Sequence, residues 1–142
     1  MKLAIGNDHH GFVYKQKIIE SLSHYKWIDV GSTSKERSDF PLYSQKVIQK
    51  IQDGSVQRGI LLCGSGIGMA IAANRFPSIY AALVWNIEVA KLSRQHNNSN
   101  ILIIPADFVS LENSVEMVKV WCQTEFLGGR YQERIDIIDT FS

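Results

Sequence analysis

A chain of 142 residues, 45% hydrophobic and 20% charged, has the length and composition of one globular domain spanning residues 1–142, with a core of its own. A formal net charge of +1 without basic clusters argues against a nucleic-acid surface. No apolar run approaches the ~18 residues of a membrane span, and Met1 leads directly into a strand-like segment, so no membrane partner and a cytoplasmic location are expected. Two cysteines and four scattered histidines form no zinc spacing, so free thiols and no metal site are expected.

The first strand is predicted over Lys2–Asn7, followed by the polar run Asp8-His9-His10-Gly11. An amphipathic helix follows over Phe12–Leu22, with Ile18, Ile19 and Leu22 on its buried side, then a short strand over Trp27–Val30. Gly31–Asp39 has loop chemistry, and Pro41 opens a helix that runs to Ile51, in the first turn where proline is tolerated. A third strand covers Gly59–Leu62. Beyond the glycine loop and a helix over Met69–Asn74 come a strand over Ile79–Val84, a helix over Ile87–Gln95, a strand over Ile101–Ile104 and a helix over Leu111–Phe126. The Gly128-Gly129 break releases a last helix, Arg130–Asp139. Strands alternating with helices predict an α/β fold, a flavodoxin- or Rossmann-like sandwich with a parallel five-stranded sheet between helical layers. No strand follows the last helix. Its apolar residues Ile135, Ile137 and Ile138 therefore need either a second subunit or the chain's own surface.

The most informative stretch is R-G-I-L-L-C-G-S-G-I-G-M-A-I-A-A-N-R, from Arg58 to Arg75. A short apolar strand ends at Cys63, glycines alternate at 64, 66 and 68, and good helix formers follow. Such a loop turns bare backbone N–H groups toward a ligand and favours negative charge there. The same field is expected to favour thiolate at Cys63, which makes it a base or nucleophile near neutral pH; the alternative is a packed, inert core thiol. The glycines spell neither G-x-G-x-x-G, whose sixth position is Met69, nor a P-loop.

Three polar sets are expected near the carboxyl ends of strands: Asp8 with His9, Cys63 to Gly68, and His96 to Asn100. Arg130 and Arg134, four apart, project from one helix face and suit a phosphate clamp. Each has a plain structural alternative: a helix cap for Asp8, a satisfied loop histidine for His96, surface ion pairs with Glu133 or Asp136 for the arginines. Together, a thiol, an imidazole, a carboxylate and a basic clamp are the groups that move protons on an anionic substrate.

With these residues in place the chain resembles ribose-5-phosphate isomerase type B and the related galactose-6-phosphate isomerase subunits. The resemblance runs through K-L-A-I-G-N-D-H-H-G-F, E-R-S-D-F-P-L-Y, C-G-S-G-I-G-M-A-I-A-A-N-R, L-S-R-Q-H-N-N-S-N and G-G-R-Y-Q-E-R, nearly the whole chain. It implies a three-layer Rossmann-like α/β/α fold whose C-terminal helix extends to a partner, a homodimer or homotetramer with a shared active site, and no cofactor. It also implies a sugar-phosphate substrate and aldose–ketose isomerisation through a cis-enediolate, as in the pentose phosphate pathway. By position, Cys63 resembles the base and Ser65 the hydroxyl that assists proton movement between the substrate oxygens. Gly64, Gly66 and Gly68 with Asn97 resemble the donors that stabilise the enediolate. His96, helped by Asp8, resembles the ring-opening residue, and His9, Arg130 and Arg134 the phosphate ligands.

Three positions depart from the family pattern. Phe40 replaces a tyrosine, Tyr131 a histidine, and Asp107, within P-A-D-F-V-S, an arginine expected to help bind phosphate. A carboxylate there would repel phosphate unless its loop points elsewhere. Two other readings follow: isomerisation of a six-carbon sugar phosphate, and a non-catalytic sugar-phosphate-binding subunit.

Overall fold

The computed structural model describes residues 1–141. Five strands and six α-helices alternate: β1 (Lys2–Asn7), α1 (Phe12–Ser21), β2 (Lys26–Asp29), α2 (Phe40–Gln52), β3 (Arg58–Cys63), α3 (Ile67–Ala73), β4 (Ala81–Leu83), α4 (Ile87–Asn97), β5 (Ile101–Pro105), α5 (Leu111–Gln123) and α6 (Arg130–Ile138). A turn of 3-10 helix, His9–Gly11, joins β1 to α1. The elements match the sequence expectation to within a few residues at their ends.

All strand pairs are parallel, in the order β2-β1-β3-β5-β4. Burial follows from that order. The central strands β1, β3 and β5 are covered on both faces and read as continuous apolar runs, whereas the edge strands β2 and β4 are only partly buried. Alternate side chains then feed two cores. Leu3, Ile5, Ile60, Leu62, Leu102 and Ile104 pack toward one face with residues of α1, α4 and α5, around the fully buried Trp121. Ala4, Leu61, Cys63, Ile101 and Ile103 pack toward the other with α2 and α3. The result is a three-layer, Rossmann-like α/β/α sandwich.

Layering also decides where a ligand can enter. The chain leaves β1 for one face through α1 and leaves β3 for the opposite face through α3. Between these adjacent strands the connections diverge, which opens a crevice beyond their carboxyl ends.

The last helix folds back on its own chain with one apolar side chain buried. Ile135 is buried at 3% exposure, while Ile137 and Ile138 remain 61% and 46% exposed. Helix α6 lies against α4, and Tyr80 Oη donates to Asp139 Oδ1 at 2.6 Å just past its end. Burial, together with that bond, pushes the Tyr80 phenol up to about 12. Because a single apolar side chain anchors α6, Ile135→Ala is expected to cost about 2–4 kcal/mol locally. Hydrogen exchange should then accelerate in residues 130–138 and leave the sheet unchanged.

Candidate active site

The crevice between β1 and β3 is lined first by the turn after β1. Asp8, almost fully buried, donates its N–H to Leu62 O at 3.2 Å and accepts from His10 N through Oδ1 at 2.9 Å, so it caps the 3-10 turn. His9 Nδ1 accepts the Ser38 N–H at 3.2 Å, so a neutral ring carries its proton on Nε2 and keeps that nitrogen as a donor. The loop that supplies Ser38 is held from below. Buried Lys15 donates to Ser32 O and lies 3.3 Å from Asp29, and Ser32 N donates to Asn7 O at 3.0 Å. No sequence signal singled out Lys15, because its position on an amphipathic helix reads as surface. The resulting depression, about 550 Å³, is walled by Asp8, His9, His10, Ser38, Phe40 and Leu42 among others.

Cys63 ends β3 beneath the glycine loop, and its Sγ accepts the Gly66 N–H at 3.1 Å. Gly66 holds that position at φ 77°, a left-handed conformation; an added Cβ would also meet Leu83 Cδ1 at 2.4 Å. Two turns of helix are all that follow, so individual N–H groups rather than a long helix dipole supply the positive field. Burial here works against the thiolate expected near neutral pH. Cys63 is only 5% exposed. Burial above all pushes its pKa upward; the Met69 and Gly66 N–H groups pull it down, and Asp8 and Asp107 add to the rise. Ser65 is exposed beside it, its Oγ accepting from Ile67 N at 3.3 Å.

The departures from the family pattern fall against this loop. The Phe40 ring covers Gly68, where an added Cβ would meet the ring at 2.5 Å. Asp107 does reach the crevice: its N–H donates to Gly64 O at 3.0 Å, and its Oδ2 stands 2.7 Å from the place of a Gly64 Cβ. The same Oδ2 lies 3.5 Å from His10 Nδ1. His10 escaped the sequence reading, although its place beside His9 at a strand end was the available signal.

His96, Asn97, Arg130 and Arg134 do not join this group, which corrects the expectation that His96 to Asn100 lie at strand carboxyl ends. Cys63 is level with Pro105, at the end of β5, whereas His96 and Asn97 precede Ile101, which is level with Gly59. Four residues of strand separate the two levels, roughly 13 Å. Helix α4 runs antiparallel to the strands and delivers His96 to the far edge of the sheet. There His96 stacks on Tyr131, centroids 4.4 Å apart and planes 11° apart, and the Arg130 and Arg134 guanidinium carbons lie 5.0 and 5.7 Å from the Tyr131 ring centroid. Among the described residues neither arginine pairs with a carboxylate, so the surface-pair alternative does not hold; Arg130 Nη2 donates to Tyr131 Oη at 3.0 Å.

A thiol under a glycine loop at the switch point of a five-stranded parallel sheet defines a Rossmann-like α/β/α protein. The chain belongs to the ribose/galactose isomerase family, whose match covers residues 3–138. It is 40% identical to ribose-5-phosphate isomerase B of Escherichia coli over 139 residues, 96% of this chain and 93% of that protein. The crystal structure of a ribose 5-phosphate isomerase from Thermotoga maritima superposes with a TM-score of 0.96 at 42% identity, covering 99% and 98% of the two chains. That of ribose-5-phosphate isomerase B from Mycoplasma genitalium with bound ribulose-5-phosphate gives 0.92 at 34% identity, covering 97% and 93%.

Since burial favours the neutral thiol, alkylation of Cys63 by iodoacetamide should be slow at neutral pH. Its rate should rise with a midpoint above the ordinary thiol value of about 8.5, as followed by mass spectrometry of the Cys63 peptide.

Proposed function

We propose that the chain is an aldose–ketose isomerase that interconverts ribose 5-phosphate and ribulose 5-phosphate. The observation that carries the reading is the Cys63 thiol under the Gly64–Gly68 loop, with Asp8 and His9 across the crevice, in a chain that matches the ribose/galactose isomerase family over nearly its full length. The chemistry needs a base beside C1 and C2 of the open-chain sugar and donors for the developing oxyanion. Cys63 as thiolate takes the C2 proton, the electron pair forms the C1–C2 double bond of a cis-enediolate, and the proton returns to C1. Ser65 moves the second proton between O1 and O2. Backbone N–H groups at Gly64 and Gly68 hold the enediolate oxygens, while the Gly66 N–H stays on the Cys63 sulfur. No oxidant or reductant is needed, because the product is an isomer.

The remaining roles are divided between the crevice and the far edge. His96, with Asp8, opens the sugar ring; Asn97 adds a donor to the enediolate; His9, Arg130 and Arg134 hold the phosphate. This division is supported by the His9 Nε2 donor and by the two guanidinium groups around Tyr131, neither of which pairs with a carboxylate among the described residues. Because these residues stand at opposite edges of one sheet, a complete site requires two copies of the chain, one offering its carboxyl edge and the other its α4–α6 corner. Exposed Ile67 and Ile71 on α3, with Ile137 and Ile138 on α6, are apolar surface that such an assembly would cover.

Cys63→Ala should lower turnover of ribose 5-phosphate by roughly 10²–10⁴-fold, the usual worth of a positioned base, while leaving binding measurable. Near wild-type turnover would remove the thiol from the mechanism, and faster turnover of six-carbon sugar phosphates would reassign the substrate. The shared site has its own test. Cys63→Ala and His96→Asn, each impaired alone, should recover about a quarter of wild-type activity when unfolded and refolded as an equal mixture, because half the dimers then carry one intact site of two. Mixing without recovery would place both residues in one chain's site.

A further inference from the structure

Asp107 and His10 form a second pair of polar side chains on the crevice wall that the proposed chemistry leaves unused. Both ends are held by backbone. Asp107 N donates to Gly64 O at 3.0 Å, the neighbouring Ala106 N donates to Cys63 O at 2.9 Å, and His10 N is tied to Asp8 Oδ1 at 2.9 Å. The pair is therefore aimed by the ends of β1, β3 and β5 rather than by mobile side-chain contacts. Its Oδ2 stands over the bare backbone of Gly64, 3.5 Å from His10 Nδ1, and the His10 ring itself reaches within 3.5 Å of the place of a Gly64 Cβ. Both side chains are about half exposed, 46% for His10 and 51% for Asp107, so each keeps surface open to a ligand.

A carboxylate in that place has a definite preference. It is an acceptor only, it binds hydroxyl groups with short charge-assisted hydrogen bonds, and it repels a phosphate dianion. On the same wall, its ring centroid 4.3 Å from that of His10, His9 offers an Nε2 donor with the opposite preference. The wall thus changes character along its length: acceptor at Asp107, donor at His9.

We propose that Asp107, held against His10, is a specificity-determining residue that accepts hydrogen bonds from the hydroxyl groups of the sugar and bars phosphate from the Gly64 wall, so that a sugar phosphate enters in one orientation with its phosphate toward His9. The proposal rests on the sugar-phosphate reading of the site. It predicts effects of opposite sign on two probes, which a purely structural role would not produce.

The test is calorimetric titration of the full-length protein with inorganic phosphate and, separately, with ribose 5-phosphate, for the wild type, Asp107→Asn and Asp107→Glu. The side chain of Asp107 makes no hydrogen bond that holds the fold, so both variants are expected to fold, which circular dichroism verifies. In Asp107→Asn, loss of the charge should tighten inorganic phosphate by roughly threefold or more and weaken ribose 5-phosphate by about fivefold. In Asp107→Glu, which keeps the charge but displaces it, phosphate should stay as weak as in the wild type while the sugar phosphate still weakens. Tighter binding of both probes to Asp107→Asn would make Asp107 a mere anion repeller, and unchanged affinities would remove it from the site; either result overturns the proposal. Turnover is read separately. A wild-type chain that binds ribose 5-phosphate without isomerising it would overturn the isomerase reading, while the two affinities still decide the role of Asp107.

Discussion

Pairing of β1 with β3 at the middle of the sheet is the constraint on which the rest of the molecule depends. Asn7 stands level with Leu62, so the two strands end together, and Asp8 extends the ladder by one more bond to Leu62 O. From that common edge the chain turns to opposite faces, toward α1 and toward α3. Space cannot be filled by either connection, and the crevice is its consequence. The backbone bonds from Ala106 and Asp107 to Cys63 and Gly64 add β5 to the same edge, so three strand ends aim the side chains around one opening.

Within that opening the thiol sits between opposing influences. Packing Cys63 against the α2 and α3 core keeps it close to the backbone donors of the loop but removes it from water, and removal from water favours the neutral form. Gly66 is what keeps the two influences compatible. Its left-handed turn points the N–H at Sγ, and any side chain there would strike Leu83.

The two edges of the sheet carry different chemistry. Parallel strands require each helix to return the chain to the starting edge, so any residue late in α4 is delivered far from the residues that follow β1 and β3. His96, Tyr131 and the two arginines form a compact aromatic and cationic corner at that distance. The exposed apolar residues of α3 and α6 are consistent with a surface made to be covered.

Local pattern was enough to predict the elements. The apolar runs of β1, β3 and β5, the loop chemistry of Gly31–Asp39, Pro41 in the first turn of α2 and the break at Gly128-Gly129 each act over a few residues, and each was legible before any contact was known. The glycine loop and its thiol were legible for the same reason. Other features depended on contacts between residues distant in sequence. Burial pushed the Cys63 pKa upward, the register of β3 with β5 moved His96 to the far edge, Lys15 became a buried support for the Ser32 loop, and Asp107 met His10 over Gly64. Sequence by itself determined which residues turn, extend or coil, because those preferences are local; only the tertiary structure decided which of them share a wall of the crevice, because that depends on strand order and register.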